Sequence, residues 1–549
     1  MDQRTVLDIL VAKLRAGAIS RRQFLYAASF FGIGAVAAAE GAAAGVAPAR
    51  QPRAMLAQSG PGEVRFLVAE AFWANWHPYL HTAQIQARIE QQIFDPLVRV
   101  ETADMGALSP GLAESWENID ETTWEFTLRQ GVLFHNGAPF TGADVKASVE
   151  LATGATAEQT SSASTFVPTT VEVIDDFTVR LVTATPFAPL LSGLATLPIL
   201  SAADIQPSDD PATPSAGIDT LRTAPNGTGP FRLVDDQNDV KTMAANPDYW
   251  GGAPTIQTLI WEYIADSQTR LNALLAGQAD AIDRVPPEHL PILQETPDIG
   301  LISTVGLENV NLWIRQDAPP PWDNPKLREA IAWSIDREAL VTSLVGGASE
   351  VSVTHIPNGA LYAAAQDPVY TFDPERARAA LAEAGLAEAP PEIPLWGVTG
   401  FLPRGREVAE AIADSLQQVG FTVQLQVTDI AAIIDALFSP DKPGVMFHLS
   451  WSSNGDPHTA LATLYHSPGA WAGASDETID ELIDSGAATT DPDARVEIYA
   501  ELQSYLWQDM PHIPLYNSDF TIAHRTRLDG IVALPNFMTY FNTATLAEA

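Results

Sequence analysis

Several residue types in this chain can carry chemistry, and their spacing decides which chemistries are open. His77 and His81 are four apart, a separation that lets two imidazoles share a metal ion on one helix face. Pro78 follows His77 directly and disfavours helix there. No H-E-x-x-H pattern surrounds the pair, so no metal site is expected. Serine, histidine and aspartate are scattered along the chain, but there is no G-x-S-x-G elbow, P-loop or dinucleotide fingerprint. The chain has no cysteine, which removes thiolate nucleophiles, thiolate metal sites, disulfides and a lipid-bearing cysteine at a mature N-terminus. The expectation is a protein that is not an enzyme and uses no cofactor. Asp456, in Trp451-Ser452-Ser453-Asn454-Gly455-Asp456-Pro457, reads first as a turn or helix-capping carboxylate. Arg404 reads first as a solvated loop arginine.

The bulk of the chain bounds what these residues can serve. At 549 residues it exceeds the roughly 250–300 residues at which single cores stop growing, which predicts two or three domains. Asp and Glu number 68 against 30 Lys and Arg, for a formal net charge of −38. Acid spread along a chain is a solvated surface; it disfavours nucleic-acid partners and electrostatic docking on anionic lipid. Ser20-Arg21-Arg22-Gln23-Phe24-Leu25 precedes an Ala- and Gly-rich apolar stretch and the cleavage candidates Ala42-Ala43-Ala44 and Ala47-Pro48-Ala49. That order makes a secretory signal of the twin-arginine type. The bland reading, an N-terminal anchor or amphipathic helix, is weakened by Gly32, Gly34 and Glu40. The stretch also falls short of the ~20 apolar residues that span a bilayer. Residues 1–57 are therefore expected to be signal and flexible mature N-terminus, with no direct membrane insertion by the mature protein. The predicted location is the periplasm or the outer face of the cytoplasmic membrane, reached already folded.

Helical and extended patterns alternate along the rest, which predicts an α/β protein. Thr123 to Arg129 alternates, with Trp124, Phe126 and Leu128 on one face, as a half-buried strand does. Asp373-Pro374 is an N-cap followed by Pro at the first helical position, and Gly385 is the stop. A second helix is expected from about Glu407 to Val419, ended by Gly420, with Phe421 to Val427 following as a strand. Composition changes near Pro319-Pro320-Pro321, where a crossing between two lobes is expected. The last extended run, Ile513 to Thr521, is placed as a return to the first lobe.

Several strings resemble the family 5 extracellular solute-binding proteins, the group of dipeptide, oligopeptide, glutathione and nickel binders. They include Leu112-Ala113-Glu114-Ser115-Trp116, Gly131-Val132-Leu133-Phe134-His135-Asn136-Gly137 and Phe140-Thr141-Gly142-Ala143-Asp144-Val145. Gly227-Thr228-Gly229-Pro230-Phe231, Asn246-Pro247-Asp248-Tyr249-Trp250-Gly251-Gly252 and Leu327-Arg328-Glu329-Ala330-Ile331 follow in the family's order and spacing, from roughly residue 63 onward. The resemblance implies a two-lobed periplasmic binding protein type II fold with an extra subdomain inserted in the first lobe. On that basis lobe I is 58–312, with the insert at about 90–215; lobe II is 313–512, and 513–549 returns to lobe I. It implies capture of a peptide or peptide-like ligand by cleft closure and delivery, as a monomer, to the permease subunits of an ABC transporter.

The same resemblance implies cleft residues. Phe72, Trp73 and Trp76 follow the first strand, where the family lines the cleft mouth, and Trp451 and Tyr516 lie near the interlobe surface. Peptide-binding relatives carry, shortly after the tryptophan, an aspartate that pairs with the peptide ammonium. Here Ser452, Ser453 and Asn454 occupy that stretch and the loop is one residue shorter, so the usual amine anchor is expected to be missing from it. Arg404 stands a few residues from the arginine that meets a peptide carboxylate. His135 is expected to pack within its block. The loop looks closer to glutathione-type binders than to dipeptide ones. Rival readings are a receptor for a metal chelate, sugar or opine-like solute, an exported hydrolase, or a periplasmic chaperone or sensor.

Overall fold

The computed structural model describes residues 60–547 apart from 61, 73–74, 81–83, 101–106, 154–166, 206–219, 347–348, 400–401, 438, 440–443, 453–454 and 468–475. The expected signal, Trp73, His81, Ser453 and Asn454 therefore lie outside the described residues. Among the described residues no helix is long and apolar enough to cross a membrane.

An 11-stranded sheet runs through the molecule. At one end Glu392–Val398 pairs in parallel with Thr422–Thr428 and Met446–Ser452. At the other, Glu63–Val68 pairs in parallel with Thr258–Tyr263 and Ala281–Ile282. Between these two parallel halves lie two long antiparallel strands, Ile299–Ile314 and His512–Arg525. Parallel strands require helical crossovers, so each half carries its own helices and its own buried face. The chain is thus an α/β protein of two lobes, with the two long strands belonging to both.

The long pair is in register from Ile299↔Arg525 to Val305↔Asp519, then at Asn309↔Asn517 and Val310↔Tyr516, and, after a second shift that leaves Leu515 unopposed, from Asn311↔Pro514 to Trp313↔His512. At the first shift residues 306–308 oppose Ser518 alone. Gly306 is required at this bulge, because a Cβ there would lie 2.6 Å from the Ser518 carbonyl and 2.8 Å from the Phe537 ring. The Leu307 amide leaves the ladder and donates to the Pro535 carbonyl at 2.8 Å. The sheet thus changes lobes at 306–308, ahead of Pro319–Pro321. Those prolines follow the end of the strand and lead to the helix Pro325–Trp333.

Local signals are realised closely. Asp373 caps the helix Pro374–Glu383 through the Glu375 and Arg376 amides at 3.1 and 3.0 Å, and Gly385 takes φ 74°. The helix Gly405–Val419 buries Val408, Ile412, Leu416 and Val419 and stops at Gly420, φ 117°. The strand Thr123–Leu128 buries Phe126 and Leu128 and belongs to a separate four-stranded antiparallel sheet, the inserted subdomain, with Ala113–Asp120, Thr178–Thr183 and Thr169–Asp175. The string Asn246 to Gly252 carries a clamp on that insert: Trp250 donates from Nε1 to Asp95 at 2.8 Å while the Arg129 and Arg99 guanidiniums cover its ring at 4.2 and 4.7 Å.

Three histidines are packed into the second lobe and its junction. Burial holds His448 and His355 down to about 4 and His512 to about 3. Each is neutral when folded but protonates near 6.5 when unfolded, so its contribution is intact above pH 6.5 and is lost as pH falls toward 4. Each is expected to remove about 1.4 kcal/mol per pH unit across that window. Denaturant titrations from pH 7 to 4.5 check this: His448→Leu should flatten the pH slope by one histidine's share, and an unchanged slope refutes it.

Candidate functional site

The halves of the sheet face one another across a cleft whose floor is the long strand pair. A cavity of about 50 Å³ remains there, lined by Arg284, Pro286 and Pro287 from the first lobe, Val345, Leu402 and Pro403 from the second, and Val310, Tyr516, Ser518 and Asp519 from the long strands. That space admits a few water molecules, whereas solute pockets are ~300–1,000 Å³. The structure is a closed form, and a solute enters only when the lobes part.

Contacts across the cleft hold it closed. The Ala188 amide of the inserted subdomain donates to the Ala487 carbonyl of the second lobe at 2.7 Å, and the Phe187 ring meets His458 at a centroid distance of 5.4 Å. On the cavity side, Arg404 donates from Nη2 to Glu288 Oε2 at 3.0 Å. Arg404 is the N-cap of its helix with φ 48°, a left-handed backbone that costs a non-glycine residue stability and aims the side chain at the opposite lobe. It is thus neither a simply solvated arginine nor aimed at a solute in this form.

The other expected site residues separate sharply. Tyr516 lines the cavity, 1% exposed. Trp451 and Ser452 are half-buried at the end of their strand, paired with Asn309 and Glu308 beside the bulge. Phe72 is half-buried, with the Lys241 ammonium 5.7 Å from its ring. Trp76 is fully buried, and its Nε1 donates to Asp236 at 2.8 Å. Asp456 is also buried, Arg495 Nη1 and Nη2 reach its two oxygens at 2.9 and 3.2 Å, and it accepts the His458 amide at 3.0 Å. The capping role was readable from its turn. Arg495 lies 39 residues on, and nothing local announced it.

His135 bonds the Gly229 carbonyl at 3.0 Å, and burial holds it down to about 4, so it is a neutral packing group. His77 is buried, with the Tyr79 amide donating to its Nδ1 at 3.2 Å. Among the described residues no group of three or more His, Asp or Glu is placed to hold a metal ion.

The residue that sequence reasoning missed is Glu308. It sits on the bulge, 5% exposed, accepting the Ser450 hydroxyl at 2.9 Å and the Ser518 hydroxyl at 2.5 Å. Its one signal was a lone carboxylate in the apolar run from Val305 to Ile314. Nearby, Glu70 accepts from Arg284 Nε at 2.7 Å, and the Arg284 guanidinium lies 5.0 Å from the Phe537 ring.

Arg404→Ala should leave thermal stability within about 1 kcal/mol of the parent, because the pair is partly exposed. It should nonetheless favour the open form, read as a larger radius of gyration in solution scattering. An unchanged radius would show that the pair does not bias closure.

Comparison with known proteins follows this geometry. The model for bacterial extracellular solute-binding proteins, family 5 middle, matches residues 107–472. The glutathione-binding protein GsiB of Salmonella typhi is 28% identical over 457 residues, covering 79% of this chain and 85% of that protein. The dipeptide-binding protein of Pseudoalteromonas sp. SM9913, solved with Met-Leu, superposes with a TM-score of 0.76 at 20% identity, covering 88% of this chain and 100% of that one. AgaA of A. tumefaciens R10, solved with agropinic acid, gives 0.73 at 25% identity, covering 89% and 99%. With two lobes, two crossing strands and a family match over most of its length, the chain belongs to the family 5 bacterial extracellular solute-binding proteins.

Proposed function

We propose that this chain is the extracytoplasmic receptor of an ABC importer, capturing a peptide or peptide-like solute by closing two lobes over it. The observation that carries the reading is the enclosed cleft on the long strand pair. Its floor contains the wide register break at 306–308 and a smaller one at Val310/Asn311, and its walls come from separate lobes. Rotation at such a break moves the walls without unmaking either parallel half. Lobe I then comprises the described chain up to the bulge, with the insert at about 90–215, and lobe II continues to the second long strand. The last residues return to lobe I.

The chain acts as a monomer, without chemistry of its own, and presents its closed surfaces to permease subunits. It reaches the periplasm or the outer membrane face through the twin-arginine route. The solute class follows the relatives: GsiB is a glutathione-binding protein, and the Pseudoalteromonas protein holds a dipeptide. A second reading, a non-peptide solute of the opine type, is favoured by Arg404 and Asp456. Both are occupied by the protein's own Glu288 and Arg495, and AgaA holds agropinic acid.

Native mass spectrometry of the mature chain with a library of two- to five-residue peptides should show one intact peptide bound per chain. At 100 times Kd that ligand should stabilise the fold by about 2.7 kcal/mol. Cleaved peptides would instead establish the hydrolase, and opine binding without peptide binding the second reading. Replacing Arg21 and Arg22 together by lysine should leave the precursor in the cytoplasm on cell fractionation; undiminished export would refute the route.

A further inference from the structure

We propose that Glu308, together with the Tyr516 hydroxyl, forms a subsite for a cationic group of the solute, an ammonium or guanidinium. The inference rests on the receptor reading above and specifies its ligand chemistry. It begins with the bulge. Three residues opposing one re-aim the Glu308 side chain, which accepts a hydroxyl from Ser450 on the second lobe's strand and from Ser518, a cavity-lining residue. Each carboxylate oxygen keeps a further acceptor position beyond the serine it already engages. Among the described residues Glu308 makes no direct ion pair; the Arg284 guanidinium bonds Glu70 and feels the Glu308 charge only at longer range.

A second observation points the same way independently. The Tyr516 hydroxyl is buried without a hydrogen-bond partner, on a residue that lines the cavity. Buried hydroxyls are rarely left so, and an oxygen in this position accepts from an N–H that also reaches Glu308. Asp519 lines the same cavity, accepting the Ser349 and Thr521 hydroxyls at 3.2 and 2.6 Å. Arg284 and Asp519 are the charged residues that line the cavity, and the Glu308 carboxylate lies behind Ser518, one hydrogen bond from that lining. A buried carboxylate gains most from a cation delivered as water leaves, because charge-assisted bonds strengthen in the closed site.

Glu308 is the register partner of Ser452, which places its carboxylate on the strand beside the one that carries Trp451 and Ser452. Opposite it, Val310, Leu402, Pro286 and Pro287 offer an apolar wall for the body of the solute.

Isothermal titration with trialanine and N-acetyl-trialanine tests the subsite. The wild-type chain should bind the free amine at least tenfold tighter, and Glu308→Gln, which keeps the shape and a serine-bonding oxygen, should level the two. Equal binding by wild type, or a preference that survives in Glu308→Gln, overturns the proposal. Should that variant fail to fold, Tyr516→Phe removes only an unpartnered hydroxyl. It should keep the melting temperature and weaken the free amine by threefold or more; unchanged affinity overturns the pairing with Tyr516. If neither peptide binds wild type, the peptide reading fails on its own, and cadaverine replaces the peptides. Binding that is lost in Glu308→Gln then supports the cation subsite, and equal binding or none overturns it.

Discussion

Two antiparallel strands carry the whole mechanical problem of this protein. Each half of the sheet has a parallel core that must be covered by helices on its faces, and the first lobe's half adds the antiparallel strands Phe231–Gln237 and Val240–Ala245 at its edge. The long strands Ile299–Ile314 and His512–Arg525 join the halves by a ladder broken at 306–308 and again between Val310 and Asn311. A register break is where a ladder bends most easily, and Gly306 is the residue that lets Ser518 and Phe537 approach it. Cavity, bulge and crossing therefore coincide. The floor of the cleft is also its axis, so a solute held there touches the element whose shape changes on closure.

The charges follow the same division. Away from the cleft, buried ions are matched by the protein itself. Arg88 pairs with Asp283 at 2.8 Å beneath the first strand, Arg328 with Asp509 at 2.6 Å behind the second lobe, and Arg495 with Asp456 at the loop. Breaking such a pair leaves an ion without compensation, which is why they make rigid joints. Across the cleft the contacts among the described residues are of another kind and include a partly exposed ion pair, a backbone hydrogen bond and a ring contact. Strong matching within each lobe and weak matching between them let the lobes move as bodies.

Much of this architecture was readable residue by residue. Capping and stopping signals are local, so Asp373, Gly385 and Gly420 act where their chemistry predicts, and the alternation of Thr123–Leu128 becomes a half-buried strand. The bulge on the long strands was not readable, because it is a mismatch in pairing between segments some two hundred residues apart, which no single segment records. The Trp76 partner was not readable either: an aromatic after a strand serves a cleft or a core equally well, and Asp236 is brought to it only by the fold.

By itself, then, the sequence determined the α/β class, the helix ends, the family blocks and the absence of catalytic motifs, because these depend on neighbouring residues or on strings kept in order. Tertiary structure alone decided which partner each charged group takes. It turned Asp456 to Arg495 and Arg404 to Glu288, and it brought Tyr516 and Ser518 to the cavity with Glu308, from a strand far away in sequence, bonded to Ser518 behind them. A side chain's partner depends on register and lobe closure, and both are properties of paired segments that are set only when the chain has folded.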